Sequence, residues 1–188
     1  VVPTASTLTQ SVQMLKWVNK ASAGIRRIGF AMGGQGAFSR ILTMVYGAPI
    51  TYASFGDPVA PGQLSLDALL NRFRVTELGS TTRFYAVAGE NASASTVLSE
   101  MNQQIQTRHL DALCIPLETS NLEELLLVLA DLQIAGVHLE GSLVSAAAEK
   151  FSNRHLSTST SAYLEVSPNQ DIRLVPETDN PWLRRIER

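Results

Sequence analysis

Cysteine is nearly absent: one residue, Cys114, stands in 188. A lone thiol excludes an intrachain disulfide. Its setting, Ala112-Leu113-Cys114-Ile115, reads as a buried strand, where a thiol is inert. Charge is scarce as well, at 17% of residues with a net charge of −2, so no basic face marks a nucleic-acid partner. No run approaches the roughly 18 continuous apolar residues that a membrane-spanning helix needs. No Gly-x-Gly-x-x-Gly occurs, and no group of His, Cys, Asp or Glu has metal-ligand spacing, so neither cofactor nor metal is expected. There is no repeat, no low-complexity tract, no signal peptide and no initiator methionine. The chain opens at Val1-Val2-Pro3, which reads as a strand-to-loop transition. The expectation is a cytoplasmic protein and a piece of a longer polypeptide.

What is present is apolar patterning. At 45% hydrophobic residues, the chain can build one large core or two small ones. Leu8, Val12 and Leu15 predict a helix over 7–20; further helices are predicted over 38–45 and 64–73, the last burying Leu66, Leu69, Leu70 and Phe73. Strands are predicted at Val1-Val2, 25–32, 50–55, 84–88, 110–116 and 136–139. A helix over 95–107 should turn Leu98, Met101 and Ile105 inward. Ser120-Asn121-Leu122-Glu123 reads as a capping box before a helix with Leu122, Leu125, Leu126, Leu129 and Leu132 inward. An alanine-rich helix follows over 143–151. Ser167-Pro168-Asn169-Gln170 marks the turn of a hairpin between 163–166 and 171–175. Alternating strands and helices mean an α/β protein. The polar stretch 75–83 reads as a linker between segment 1–74 and segment 84–188.

Two motifs do not read as packing. Met32-Gly33-Gly34-Gln35-Gly36 follows the apolar run Ile28-Gly29-Phe30-Ala31 and delivers Ser39-Arg40. The segment Val59-Ala60-Pro61-Gly62-Gln63 follows the next strand; its Pro-Gly pair shapes a loop that presents one amide, Gln63. Both place a polar group beyond a strand's C-terminal end, where α/β folds keep their ligands.

These residues resemble the C-terminal part of type I 3-dehydroquinate dehydratase, a (β/α)8 barrel of the shikimate pathway. The resemblance covers roughly residues 1–73 and implies the last strands of that barrel. It implies that Arg40 holds the substrate carboxylate, that Gln63 lies on a lid over the substrate and that Met32 lines the pocket. Val59 departs from the family, which has a serine there. The family's reaction runs through a lysine Schiff base, and the lysine and the base histidine fall at positions before residue 1. Lys16 and Lys20 lie on a helix and do not replace them. A barrel needs about 250 residues, so the segment is partial.

After Gly89 the chain resembles the α/β substrate-binding domain of shikimate dehydrogenase, entered through Asn71-Arg72-Phe73-Arg74 and Thr82-Arg83-Phe84-Tyr85 as in fused dehydroquinase–shikimate dehydrogenase proteins. The resemblance puts Ser95 on a serine that binds the shikimate carboxylate and Asp179 on the catalytic aspartate. It also puts Val97, Val144 and Leu164 on a second serine, the catalytic lysine and an asparagine. A dehydrogenase-like domain with a lapsed site is therefore implied. The implied partner is a small molecule, 3-dehydroquinate or 3-dehydroshikimate, with homodimerisation possible. The competing class is a non-catalytic scaffold with both halves degenerate. Plainer roles stand beside these: Arg40 or Gln63 could serve a helix start, His138 a core hydrogen bond, His109 and His155 the surface, and Asp179 a turn.

Overall fold

A computed structural model describes residues 1–22, 24–57, 59–60, 62–152 and 161–175. The chain divides into two compact units, residues 1–82 and 83–188.

In the first unit, helix α1 (Leu8–Asn19) begins where Thr7 accepts a hydrogen bond from the Gln10 amide, and it buries Leu8, Ser11, Val12, Leu15 and Val18. The spacing of these residues makes one apolar stripe. A 3-10 turn (Gly34–Gly36) leads into the short helix α2 (Ala37–Leu42), which is buried throughout. Two hydroxyls attach α2 to the extended segment before it. Ser39 Oγ accepts from the Ala31 amide at 2.8 Å and donates to the Gly36 carbonyl at 2.6 Å. Thr43 Oγ1 donates to the Gly29 carbonyl at 2.6 Å.

The three strands expected here do not form as ladders. Residues 25–32 meet the N-terminal segment at two points: the Val1 amino group donates to Ile28 O (2.8 Å), and a parallel bridge forms at Met32 through Met32 N–H to Pro3 O (2.8 Å) and Ala5 N–H to Met32 O (3.0 Å). Residues 50–55 make one bridge, Ser54 to Ser65. A strand is stable only beside neighbours that take its amide and carbonyl groups. The helix expected over 64–73 is also different. Its core is a π-turn, Ala68–Arg72, with the Phe73 amide bonded to the Ala68 carbonyl. Leu69 and Phe73 are buried, but Leu66 and Leu70 are exposed, so its apolar face is half the expected width.

The second unit is a five-stranded mixed sheet. Strands β1 (Arg83–Gly89), β2 (Ala112–Glu118) and β3 (Ile134–Glu140) are parallel, β4 (Ser161–Val166) is antiparallel to β3 and β5 (Ile172–Val175) antiparallel to β4, in the order β2-β1-β3-β4-β5. Helices α3 (Thr96–Thr107) and α4 (Leu122–Asp131) are the crossovers that parallel neighbours require. Helix α5 (Ser142–Lys150) packs on β3 and β1. β1 is buried from Phe84 to Gly89, as a strand between two others should be.

Leu98, Met101 and Ile105 of α3 face inward as expected. Asn121, not Ser120, caps α4 by accepting from the Glu124 amide at 3.1 Å, so the cap lies one residue later. Val128 joins Leu122, Leu125 and Leu129 in the core, while Leu126, expected inward, is half-buried. Ser167 closes the hairpin turn, accepting from the Gln170 amide with its carbonyl and from the Asp171 amide with its hydroxyl. At Gly136 a side chain would collide with the Tyr163 hydroxyl, and the Tyr163 Cζ lies 2.5 Å from the position a Cβ would take. Tyr163, 1% exposed, is seated on that glycine. Asn102 of α3 accepts from the Cys114 amide (2.9 Å) and donates to the Cys114 carbonyl (2.8 Å), so its side chain runs along β2 like a short extra strand.

Candidate functional site

Arg40 is the most unusual side chain of the first unit. It is charged and only 3% exposed, yet among the described residues no hydrogen-bond acceptor or carboxylate meets its guanidinium, and its Nε is buried without a partner. Its Cζ lies 4.3 Å from the centroid of the Phe30 ring, a cation–π contact. Burial lowers its pKa from the ordinary arginine value by penalising the charged form. The backbone beneath is fixed: Ser39 ties α2 to Ala31, and Thr51 Oγ1 donates to the Arg40 carbonyl at 2.9 Å. Buried charges are normally paired. A guanidinium can grip a carboxylate or another planar anion through two parallel bonds.

The second motif lies against the first. Gly62 has φ +69°, the left-handed region that favours glycine, and a side chain there would collide with the Gly33 carbonyl; the Gly33 carbonyl carbon is 2.9 Å from that Cβ position. The Gly62 loop is thus seated directly on the glycine-rich turn that leads to Arg40. Gln63 closes its own loop: its Oε1 accepts from the Val59 amide at 2.8 Å, and its backbone amide donates to the Ala60 carbonyl at 3.1 Å. Among the described residues its side-chain NH2 has no acceptor. Met32 is half-buried at the bridge with Pro3 and Ala5, and Val59 is 88% exposed. Lys16 and Lys20 are exposed on or just after α1.

Sequence reasoning missed the aromatic floor. Tyr52 packs on Phe30 with ring centroids 5.7 Å apart at 53°. The available signal was period two along an extended chain, which puts Phe30 on the same side as Met32.

In the second unit, Ser95 is buried at the start of α3 and donates its hydroxyl to Glu140 Oε1 at 2.7 Å. The same oxygen lies 3.6 Å from His138 Nε2. His138 is 3% exposed within β3, a core residue with a carboxylate neighbour. Ser142 donates to Glu90 at 3.3 Å. Two carboxylates therefore stand at the C-terminal ends of β1 and β3. Val144 is buried on α5 and Leu164 in β4; Val97 is half-buried on α3. Asp179 and His155 lie outside the described residues. A cavity of about 560 Å³ lies elsewhere, lined by Arg83, Gln133, Glu165, Asp171 and Arg173 at the hairpin side of the sheet. Among the described residues no group of three His, Cys, Asp or Glu could hold a metal, and no helix is long and apolar enough to cross a membrane.

Comparison with known proteins matches residues 1–80 to the type I 3-dehydroquinase family. The 3-dehydroquinate dehydratase of Pyrobaculum aerophilum is 49% identical over 41 residues, 22% of this chain and 14% of that protein. That of Methanocaldococcus jannaschii is 37% identical over 68 residues, 36% of this chain and 30% of that protein. The chloroplastic bifunctional 3-dehydroquinate dehydratase/shikimate dehydrogenase of Arabidopsis thaliana is 26% identical over 138 residues, 72% of this chain and 23% of that protein. This match is longer than the first unit, so it runs into the second. A solved structure of the dehydroquinate dehydratase and shikimate dehydrogenase of S. pombe AroM aligns over 92% of this chain and 33% of that one, with 19% identity and a TM-score of 0.40. The chain thus spans less than a third of the length of each of these relatives. Its first unit is similar to type I 3-dehydroquinase, and a longer stretch of it to the bifunctional 3-dehydroquinate dehydratase/shikimate dehydrogenase.

Proposed function

We propose that the first unit is the C-terminal part of a dehydroquinase site, the last strands of a (β/α)8 barrel, and that it binds 3-dehydroquinate or its dehydration product through Arg40. The observation that carries this is the buried guanidinium, without an acceptor among the described residues, on the helix that follows the glycine-rich turn against which the Gln63 loop is seated. Arg40 takes the ligand carboxylate, the Gln63 NH2 donates to the ligand from the covering loop, and Met32 lines the pocket. The dehydration itself needs an amine that condenses with the substrate ketone. That condensation releases water and leaves an imine, which accepts the electron pair left when an adjacent proton is removed; hydroxide then leaves and is protonated to water, and hydrolysis of the imine returns the amine and frees the ketone product. The exposed Lys16 and Lys20 are not placed for that role, so the amine and the base come from polypeptide outside this chain. On this reading residues 75–83 link the unit to a shikimate dehydrogenase-like substrate domain, in a shikimate-pathway protein acting in the cytoplasm.

The second domain is proposed to be inactive. Glu140 takes the hydroxyl of Ser95 and puts a negative charge where a ligand carboxylate would have to sit. Val144, buried and apolar, cannot shuttle a proton. This domain serves folding or assembly.

The test is calorimetry and turnover on the chain as given. 3-Dehydroquinate should bind, Arg40→Ala should abolish binding, no dehydration should occur, and borohydride should trap no adduct on Lys16 or Lys20. Binding unaffected by Arg40→Ala refutes the assignment of the site; turnover or a trapped adduct refutes the assignment of the missing amine.

A further inference from the structure

We propose that Tyr52 is a specificity-determining residue of the Arg40 site: its phenol hydroxyl hydrogen-bonds a ring hydroxyl of the ligand whose carboxylate Arg40 holds. The proposal rests on the reading of Arg40 as a carboxylate site and adds a second recognition group to it. Three observations carry it. First, Arg40 and Tyr52 share one support. The guanidinium carbon lies 4.3 Å from the Phe30 ring centre and the Tyr52 ring centre 5.7 Å from the same point, so the guanidinium carbon and the Tyr52 ring centre are at most 10.0 Å apart, with the hydroxyl beyond the ring. A six-membered ring acid and its substituents can span that interval. Second, among the described residues neither the guanidinium nor the Tyr52 hydroxyl has a hydrogen-bond partner, yet both groups are held in place. Phe30 is 3% exposed because its neighbours cover it, and the Thr51 hydroxyl, one residue before Tyr52, bonds the Arg40 carbonyl. Third, Tyr52 is 50% exposed, so its ring is packed along one side while the rest of it meets solvent.

A tyrosine used only for packing needs no hydroxyl, and phenylalanine would fill the same space on Phe30. The hydroxyl is a donor and an acceptor at once and suits an alcohol, whereas the guanidinium only donates and suits an anion. Together they distinguish a hydroxylated ring acid from a plain one. A neutral hydrogen bond of this kind is worth about three- to tenfold in affinity.

The experiment is calorimetry on the full chain with two probes, shikimate and cyclohexanecarboxylate, for the wild type, Tyr52→Phe and Arg40→Ala. The wild type should prefer shikimate by about three- to tenfold. Tyr52→Phe, which keeps the ring, should bring that preference close to one and leave cyclohexanecarboxylate binding unchanged. Arg40→Ala should remove binding of both probes, which also excludes a shikimate site elsewhere in the chain. A preference that survives Tyr52→Phe, or equal weakening of both probes, overturns the role of Tyr52 while the Arg40 reading stands. Binding of neither probe to the wild type, or binding that survives Arg40→Ala, overturns both.

Discussion

Replacing Arg40 with methionine should make the unliganded chain more stable while removing its ligand. The guanidinium is 3% exposed and has no acceptor among the described residues. Burying an ion in this way costs several kcal/mol even after relaxation. The one compensation is the contact with Phe30 at 4.3 Å, worth about 2 kcal/mol where water is excluded. Methionine keeps the length and the contact with the ring and drops the charge. The bond from Thr51 goes to the Arg40 backbone carbonyl and survives the change. The expected gain is about 1–3 kcal/mol, or roughly 4–8 °C in Tm per kcal/mol for a unit of this size. Urea unfolding followed by Trp17 fluorescence, in a Trp182→Phe background, reports on the first unit. Ligand at 100 times its Kd should then raise the stability of the arginine form by about 2.7 kcal/mol and leave the methionine form unmoved. A methionine variant less stable than the parent refutes the reasoning, because it means that the guanidinium is satisfied within the protein.

Gly62→Ala combines a left-handed φ with a collision against the Gly33 carbonyl; it should cost more than about 1 kcal/mol and weaken ligand binding at Arg40, measured by urea unfolding and calorimetry. Gly136→Ala should cost about 1–3 kcal/mol by driving into the Tyr163 hydroxyl, and adding Tyr163→Phe should recover part of that loss in thermal melts; no recovery would place the strain elsewhere. Asn102→Ala strips the Cys114 amide and carbonyl of their partner, so unfolding should occur about 2–4 kcal/mol earlier, with faster exchange of the Cys114 amide hydrogen. The Arg40→Ala chain should bind shikimate no more tightly than about millimolar, because Glu140 occupies Ser95 and burying ligand hydroxyls against Val144 and Leu164 costs roughly 1–3 kcal/mol each; tighter binding would show that the second site still works.

The second unit was legible because its order comes from local periodicity. Continuous apolar runs became the parallel strands, and the i, i+3, i+7 rows of α3 became its buried face. The cap of α4 was misplaced by one residue because Ser120 and Asn121 both carry capping oxygens, and only the register of the helix chooses between them. The strands of the first unit were over-read: residues 25–32 and 50–55 have strand composition, but composition does not supply the neighbours that complete a ladder. In the site, Arg40 and the Gly62 loop were visible as motifs. Their seating on one another was not, nor the Arg40–Phe30–Tyr52 cluster, since these depend on contacts between segments far apart in the chain. The grip of Ser95 on Glu140 joins residues 45 apart and left no local pattern to read.

The clasp of Asn102 on Cys114 also has a consequence in time. β2 forms one border of its sheet, and a bare border strand invites pairing with another chain. Here the two backbone groups of Cys114 are taken by a side chain only twelve residues earlier. Closing so short a loop costs little entropy, and contacts this local form among the earliest in folding. The border is therefore sealed at its middle by the helix that precedes it, before β3 and β4 have to find their places from much further along the chain. A nascent or partly unfolded chain carries this protection with it, at the stage when an open border is most exposed to wrong partners.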